Sequence, residues 1–148
     1  MNSKVTIGSE EWISLSDLNI PHIKARIDSG AKTSSLHALN IQPYQKEGQT
    51  WISFDVYPIQ NDGKRRVKCN ALVKDKRIVK SSTGNREQRF VIQTFMIIGA
   101  NSWGIEITLT NRDTMGFRML LGREAMKGRL IVDPVSYTHL TLPTTRCV

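Results

Sequence analysis

The chain is patterned for the most part as short strands. Apolar and polar residues alternate over 11–15 (EWISL) and over 23–27 (IKARI), where the apolar residues share one face and the two basic residues the other. A period of two residues is typical of a strand with one buried face. Further strand patterns cover 35–41, 50–59, 67–73, 89–98, 103–110, 117–122 and 129–134.

Turn signals separate these strands. Asp-Gly within 61–65 (NDGKR) supplies the positive φ that tight hairpins need, and Gly99 and Asn101 suit a turn within GANS. One short helix is predicted around Arg123–Lys127. Many short strands between turn signals predict an all-β domain, either a sandwich or a barrel.

Length and composition favour one domain. The chain has 148 residues, 39% of them apolar, and it contains no long polar linker and no repeat. Residues 135–148 are rich in threonine, carry no charge except Arg146, and do not continue the strand pattern. We therefore expect the domain to span 1–134 and to be followed by a foreign or disordered tail at 135–148. The alternative is a genuine exposed C-terminal strand.

Charge and targeting signals limit the partners that we expect. The N-terminus has no signal-peptide pattern, and no run approaches the roughly 20 apolar residues of a membrane helix. The two cysteines, Cys69 and Cys147, do not suggest a disulfide framework. We expect a cytoplasmic protein without membrane contact. The net charge of +8 favours acidic partners.

An Asp-Ser-Gly triplet follows the strand at 23–27 directly. Asp, Ser and Gly are common in turns, so the triplet alone indicates no chemistry. Three features make a functional role for the triplet more plausible. The strand would fix the backbone of Asp28, and the small Gly30 and Ala31 would let another backbone or a substrate approach closely. A second motif appears at 119–124 (MLLGRE). That motif joins an apolar run to Gly122 and a helix-compatible segment.

The two motifs together carry a family resemblance. IDSGA and MLLGRE resemble the half-site of retropepsin-type aspartic proteases, Asp-(Ser/Thr)-Gly-Ala followed late in the chain by two apolar residues and Gly. IPHIKARIDSGAKTSSLHA, RIVKSS and ITLTNRDTMGFRMLLGREAMKGRLIVDP resemble more closely a bacterial and archaeal family known as ATP-dependent zinc proteases. That family is associated with ribosomal-protein glutamate ligases. The resemblance covers about residues 10–134.

The resemblance implies a retropepsin-like closed β-barrel with one short C-terminal helix, active as a homodimer. Two copies of Asp28 would meet at a twofold axis and share a proton, because two adjacent carboxylates do not both ionise readily. The ionised copy would act as general base on a water that attacks the peptide carbonyl. The protonated copy would donate to the developing oxyanion. This chemistry predicts an aspartic-type peptidase that uses neither a metal nor a cofactor.

The same resemblance gives supporting roles to residues around Asp28. Ser29 would hydrogen-bond across the dimer, and Gly30 would let the two active-site loops approach each other. The other supporting positions are Ala31, Thr33, Gly122 and Arg123.

Arg123 departs from the family pattern in its expected partner. Gly122 would lie behind the active-site loop, and Arg123 would brace the following helix. In retroviral relatives an acidic residue follows Asp-Thr-Gly-Ala, whereas this chain has Lys32 there. Arg123 therefore lacks its usual partner.

Retropepsins also carry a flap that closes over the substrate. Counting strands back from Gly122 places it at about Lys74–Arg89. The cations expected to bind substrate are Lys76, Arg77, Lys80, Arg86 and Arg89. A basic flap suits an acidic peptide, and the association with glutamate ligases suggests protein tails that carry added glutamates. The alternative is a solvated basic loop with no role in binding.

The zinc and ATP of the family name have no counterpart among the motifs. The sequence has no His-Glu-x-x-His, no Cys-x-x-Cys and no paired histidines, since His22, His37 and His139 are isolated. It also lacks a Gly-rich phosphate loop. No metal site and no cofactor are predicted.

Two other function classes compete with the peptidase. The chain could be a catalytically idle retropepsin-like module for dimerisation or binding, which an Asp28→Asn comparison would distinguish from an enzyme. It could also be a basic nucleic-acid-binding β domain. We disfavour that class because only 7% of the residues are aromatic and no stacking motif occurs.

Overall fold

A computed structural model describes residues 5–58, 65–80, 83–111 and 117–132. Within them most of the chain is strand, with a 3-10 turn at Ser16–Leu18 and one α-helix. The elements are β1 (Val5–Ile7), β2 (Glu10–Leu15), β3 (Ile20–Ile27), β4 (Ser34–His37), β5 (Leu39–Lys46), β6 (Gln49–Val56), β7 (Val67–Lys80), β8 (Arg86–Ile98), β9 (Asn101–Thr110), β10 (Met119–Leu121), α1 (Arg123–Met126) and β11 (Leu130–Val132).

Six strands close into a mixed barrel. Their order is β2-β3-β10-β4-β9-β8, and a pairing of Ser14 on β2 with Ile97 on β8 completes the circle. Strand β10 runs parallel to β3 and antiparallel to β4, and β4 runs parallel to β9. This arrangement confirms the all-β class, the closed barrel and the single short helix.

The remaining strands extend from this barrel. Strands β7, β6 and β5 continue the sheet outward from β8 as an antiparallel meander. Strand β1 pairs in parallel with β11 in a separate two-stranded sheet, with Val5 opposite Leu130. The polar and apolar pattern did not predict β1, because three residues are too few to show a period.

The core is formed by the apolar faces that the alternation predicts. Ile13 and Ile23 are fully buried on β2 and β3, and Cys69 and Ala71 are buried on β7. Burial raises the pKa of the Cys69 thiol to about 12, and the nearby Asp55 adds to this effect. The thiol therefore stays protonated near neutral pH and is a poor nucleophile. No helix of the described part of the chain is long and apolar enough to cross a membrane.

Several local predictions can be compared with the structure. The helix at Arg123–Met126 is confirmed, and so is the turn at Gly99, whose φ of 59° closes a two-residue hairpin. The single strand at 35–41 is wrong: β4 ends at His37, β5 begins at Leu39, and Asn40 has a φ of 54°. The chain leaves the barrel for the meander there. Residues 61–64 of the predicted hairpin turn and the tail at 135–148 lie outside the described residues.

Candidate active site

A strand inserted between two others brings the two motifs together. Strand β10 lies between β3 and β4, with Leu121 opposite Ile27 and Met119 opposite Leu36. Residues 28–33 connect β3 to β4, so this loop passes the end of β10. Asp28 and Gly122 therefore meet although 94 positions separate them in the sequence.

Two hydrogen bonds fix the loop at its ends. The Asp28 N–H donates to the Leu121 carbonyl oxygen at 2.9 Å. The Gly122 N–H donates to Ser34 Oγ at 3.0 Å, in a buried position. Both ends of the loop are thus attached to the same turn after β10.

The start of α1 holds the middle of the loop. The backbone N–H of Arg123 donates to the Ala31 carbonyl at 2.8 Å, and that of Glu124 donates to the Lys32 carbonyl at 3.1 Å. The Arg123 guanidinium donates from Nη1 to the Gly30 carbonyl at 3.2 Å. Arg123 thus contacts the loop itself, and a backbone carbonyl accepts from it where retroviral relatives have a carboxylate at position 32.

Gly30 and Gly122 make close contacts that a larger residue would disturb. The Gly30 N–H donates to Asp28 Oδ1 at 3.1 Å, and a Cβ at position 30 would lie 3.3 Å from that oxygen. A Cβ at position 122 would lie 2.6 Å from the carbonyl carbon of Thr33. Glycine at 122 therefore lets the loop and the turn touch backbone to backbone.

Asp28 and Ser29 differ in exposure. Asp28 is half-buried, and its carboxylate accepts the Gly30 N–H. Ser29 is exposed, and its hydroxyl makes no hydrogen bond within the described residues. The predicted role of Ser29 needs a second chain and stays a prediction.

A cleft of about 870 Å³ separates the loop from the β7–β8 hairpin. Residues 30–35 of the loop and the start of β4 line one side of the cleft. Residues 77–80 of β7 and Arg89 of β8 line a second side, and residues 104–106 of β9 line a third. The hairpin pairs in register from Val73 opposite Ile92 to Lys80 opposite Arg86, with one irregularity. It occupies the position in the sequence that we predicted for the flap.

Three of the five predicted flap cations line the cleft. Arg77, Lys80 and Arg89 do so, whereas Lys76 and Arg86 are not among its lining residues. Lys76 instead places its ammonium 5.2 Å from the ring centre of Phe90. Strand alternation does not explain the difference, because Lys76 and Lys80 are an even number of residues apart and lie on the same face of β7.

Glu106 neutralises part of the basic hairpin. Its carboxylate pairs with Lys74 Nζ at 2.5 Å and with Arg77 Nη1 at 2.9 Å. These partners, Lys74 foremost, hold the pKa of Glu106 below its usual value. Arg77 also bonds to Asp75 at 3.1 Å. The charge of Arg77 is therefore already shared between two carboxylates.

Lys32 and Lys80 remain as uncompensated cations in the cleft. Arg89 is paired with Glu87 at 2.8 Å. Lys32 and Lys80 are exposed, line the cleft from the loop and from the hairpin, and form no ion pair within the described residues. These two lysines are the groups that remain available to a bound carboxylate.

Sequence reasoning missed two residues of this site. Ser34 is 1% exposed and binds the turn after β10, and Glu106 neutralises two hairpin cations. The strand alternation placed Glu106 on the polar face of β9, but no local signal showed its partners across the sheet. Ser34 follows the Asp-Ser-Gly loop as one of two adjacent serines, and no local signal marks its burial.

The described residues do not fit a zinc ion. They bring together no group of three or more His, Cys, Asp or Glu side chains that could hold a metal. We therefore derive no step through a metal.

The fold and the loop together define a class of protein. A closed mixed barrel whose Asp-Ser-Gly loop is tied to a late Leu-Gly turn is a retropepsin-like domain. Residues 6–140 match the model of the RimB-like family, described as retropepsin-like aspartic endopeptidase RimB. The chain belongs to this family.

Comparisons with individual proteins agree with this assignment. A probable alpha-L-glutamate ligase from Desulfotalea psychrophila is 59% identical over 132 residues, and one from Shewanella pealeana is 53% identical over 133. These alignments cover 89% and 90% of this chain but only 28% and 29% of the relatives, so the chain spans less than a third of their length. The crystal structure of protein Lpg0085, of unknown function, from Legionella pneumophila has a TM-score of 0.74 at 28% identity, covering 91% of this chain and 97% of that chain.

Proposed function

We propose that this chain is an aspartic-type peptidase whose active form is a homodimer with one Asp28 from each protomer. The observation that carries the proposal is the attachment of Asp28 to the Leu121–Gly122 turn, which fixes its backbone at the end of a closed barrel. The description of the family as an aspartic endopeptidase supports the same chemistry.

The two carboxylates divide the work of hydrolysis. Held side by side, they share one proton, because the second ionisation would place two like charges in contact. The ionised Asp28 takes a proton from a water, which attacks the carbonyl carbon of the peptide. The protonated Asp28 donates to the carbonyl oxygen, and a later proton transfer to the nitrogen releases the amine.

The single chain offers half of the required groups. It supplies one Asp28 and an exposed Ser29 whose hydroxyl has no partner within the described residues. A twofold axis beside this loop would give Ser29 a partner and would supply the second carboxylate, since a twofold interface uses the same patch on both subunits.

The substrate that we propose is an acidic peptide, such as a protein tail carrying added glutamates. Lys32 and Lys80 are the cleft cations without an ion pair within the described residues, and they stand on opposite sides of the cleft. The relatives from Desulfotalea and Shewanella are named as glutamate ligases and contain a segment similar to this chain. A peptidase associated with such a ligase would act on glutamate-containing tails.

The direct test compares the wild type with Asp28→Asn on glutamate-rich and neutral peptides. The amide cannot act as a base, so we expect hydrolysis to be lost while the circular dichroism spectrum and the mass in solution are unchanged. Asp17→Asn is the matched control, because Asp17 lies outside the site and accepts the Phe95 N–H through its carboxylate. Activity that persists in Asp28→Asn contradicts the proposal, and a wild-type dimer that cleaves neither peptide favours the idle-module alternative.

A further inference from the structure

Ser34 is a buried polar side chain that the Asp-Ser-Gly motif does not include. It is 1% exposed, and its Oγ accepts the Gly122 N–H at 3.0 Å. The hydroxyl of Thr108 on β9 donates to the Ser34 carbonyl at 3.2 Å. Ser34 is therefore held by the barrel wall and in turn holds the turn after β10.

One peptide group connects Ser34 to Asp28. The carbonyl of Leu121 and the N–H of Gly122 belong to the same peptide. Its N–H donates to Ser34 Oγ, and its carbonyl accepts the Asp28 N–H at 2.9 Å. Because a peptide is planar, the hydroxyl that fixes the N–H also fixes the direction of the carbonyl. A hydrogen bond at one end further polarises the group and strengthens the bond at the other end.

Among the described residues, the Ser34 hydroxyl is the acceptor of the Gly122 N–H. A side chain at 122 would collide with the Thr33 backbone, so the turn must keep glycine there. The Gly122 N–H is buried, and without the Ser34 hydroxyl it would have no acceptor, which is costly. The turn would then shift to find one, and its carbonyl would move away from Asp28.

We propose that Ser34 is a positioning residue for Asp28, acting through the Leu121–Gly122 peptide. The catalytic consequence rests on the proposed peptidase function, whereas the effect on the backbone of Asp28 does not. The residue that contacts the reacting atoms remains Asp28, and Ser34 determines where its backbone lies.

The test measures amide hydrogen exchange in the full chain for the wild type, Ser34→Ala and Ser34→Thr. We expect Ser34→Ala to accelerate exchange of the Asp28 amide about tenfold or more relative to amides of the β8–β9 ladder. Ser34→Thr keeps the hydroxyl and restores slow exchange. Thr108→Val removes the other hydroxyl bonded to this residue and leaves the Gly122 contact in place, so it should leave the relative exchange of Asp28 unchanged.

Two results would overturn the proposal. One is an acceleration in Ser34→Ala that is equal at Asp28 and along the β8–β9 ladder, since this indicates a general loss of stability. The other is unchanged exchange at Asp28.

Kinetics on a glutamate-rich peptide supply the second readout. We expect Ser34→Ala to lower kcat with KM unchanged and Ser34→Thr to recover it. A change confined to KM contradicts a positioning role. A wild type that cleaves no peptide refutes the peptidase proposal alone, because the exchange experiment tests Ser34 without catalysis.

Discussion

Close backbone contacts around Asp28, Gly30 and Gly122 determine the geometry of the candidate site. Gly30 allows the carboxylate of Asp28 to accept its N–H, and Gly122 allows two backbones to touch. Because glycine meets these requirements best, both positions appear in the sequence as part of a recognisable motif. Ser34 could not be found in this way, because a serine that accepts one buried N–H looks like any other serine in the sequence. The role of Glu106 could not be predicted either, because its partners Lys74 and Arg77 lie on another strand.

The contact at Gly122 predicts a stability difference between two glycine substitutions. Gly122→Ala would place a Cβ 2.6 Å from a Thr33 backbone atom, and backbone cannot move away easily. We expect it to lower the free energy of unfolding by about 1–3 kcal/mol, the usual cost of overpacking. Denaturant unfolding measures the difference.

Gly104→Ala is the control for this substitution. A Cβ at 104 meets only the Gln93 side chain at 3.7 Å, and alanine is favoured over glycine within a strand by up to about 1 kcal/mol. Equal destabilisation by both substitutions would contradict the packing argument.

The β7–β8 hairpin shows what strand alternation can and cannot predict. Counting strands predicted a flap at Lys74–Arg89, and the structure has a hairpin there, although its role as a flap stays a prediction. The basic composition of the hairpin is evident from the sequence. Alternation places Lys76 and Lys80 on one face of β7 and Arg77 on the other, so it does not predict that Arg77 and Lys80 line the cleft and Lys76 does not. The neutralisation of Lys74 and Arg77 by Glu106 could not be predicted, since it depends on contacts with β9.

The position of Lys80 in the lining of the cleft predicts a charge effect confined to that part of the hairpin. We expect Lys80→Glu to raise KM for a glutamate-rich peptide about fivefold or more, because one partly exposed charge contact is worth on the order of 1 kcal/mol. Lys76→Glu, a reversal four residues earlier in the same strand, should change KM little because Lys76 does not line the cleft. Equal effects of the two reversals would indicate attraction by overall charge, without a defined binding position.

Glu106 predicts a dependence of stability on pH. Lys74 and then Arg77 lower its pKa below the ordinary 4.5, so its ion pairs stabilise the folded chain above that pH. The contribution is lost as the pH falls through the lowered pKa. The wild type should therefore be more stable than Glu106→Gln at pH 7, by up to about 1 kcal/mol, and equally stable in strong acid.

Denaturant unfolding at several pH values measures this difference. Glu124→Gln is the control, because Glu124 forms no ion pair within the described residues. A difference between the wild type and Glu106→Gln that does not change between pH 7 and strong acid would contradict the assignment.

At the scale of the whole molecule, local pattern alone left the choice between a sandwich and a barrel open. Closure depends on the pairing of Ser14 with Ile97 and on the insertion of β10 between β3 and β4. These contacts join distant parts of the chain, so no window of sequence contains them. The family resemblance supplied the closed barrel, and the structure confirms it. The homodimer follows from the chemistry of a single aspartate and remains a proposal.

The dyad of two Asp28 residues is the central claim, and a mixing experiment tests it most directly. Wild type and Asp28→Asn are mixed in varied proportions, allowed to exchange subunits, and assayed on a glutamate-rich peptide at constant total protein. If both carboxylates are required, mixed dimers are inactive and the rate falls with the square of the wild-type fraction, to about one quarter at equal proportions. A rate that falls in direct proportion to the wild-type fraction would show that one Asp28 is sufficient and would contradict the account.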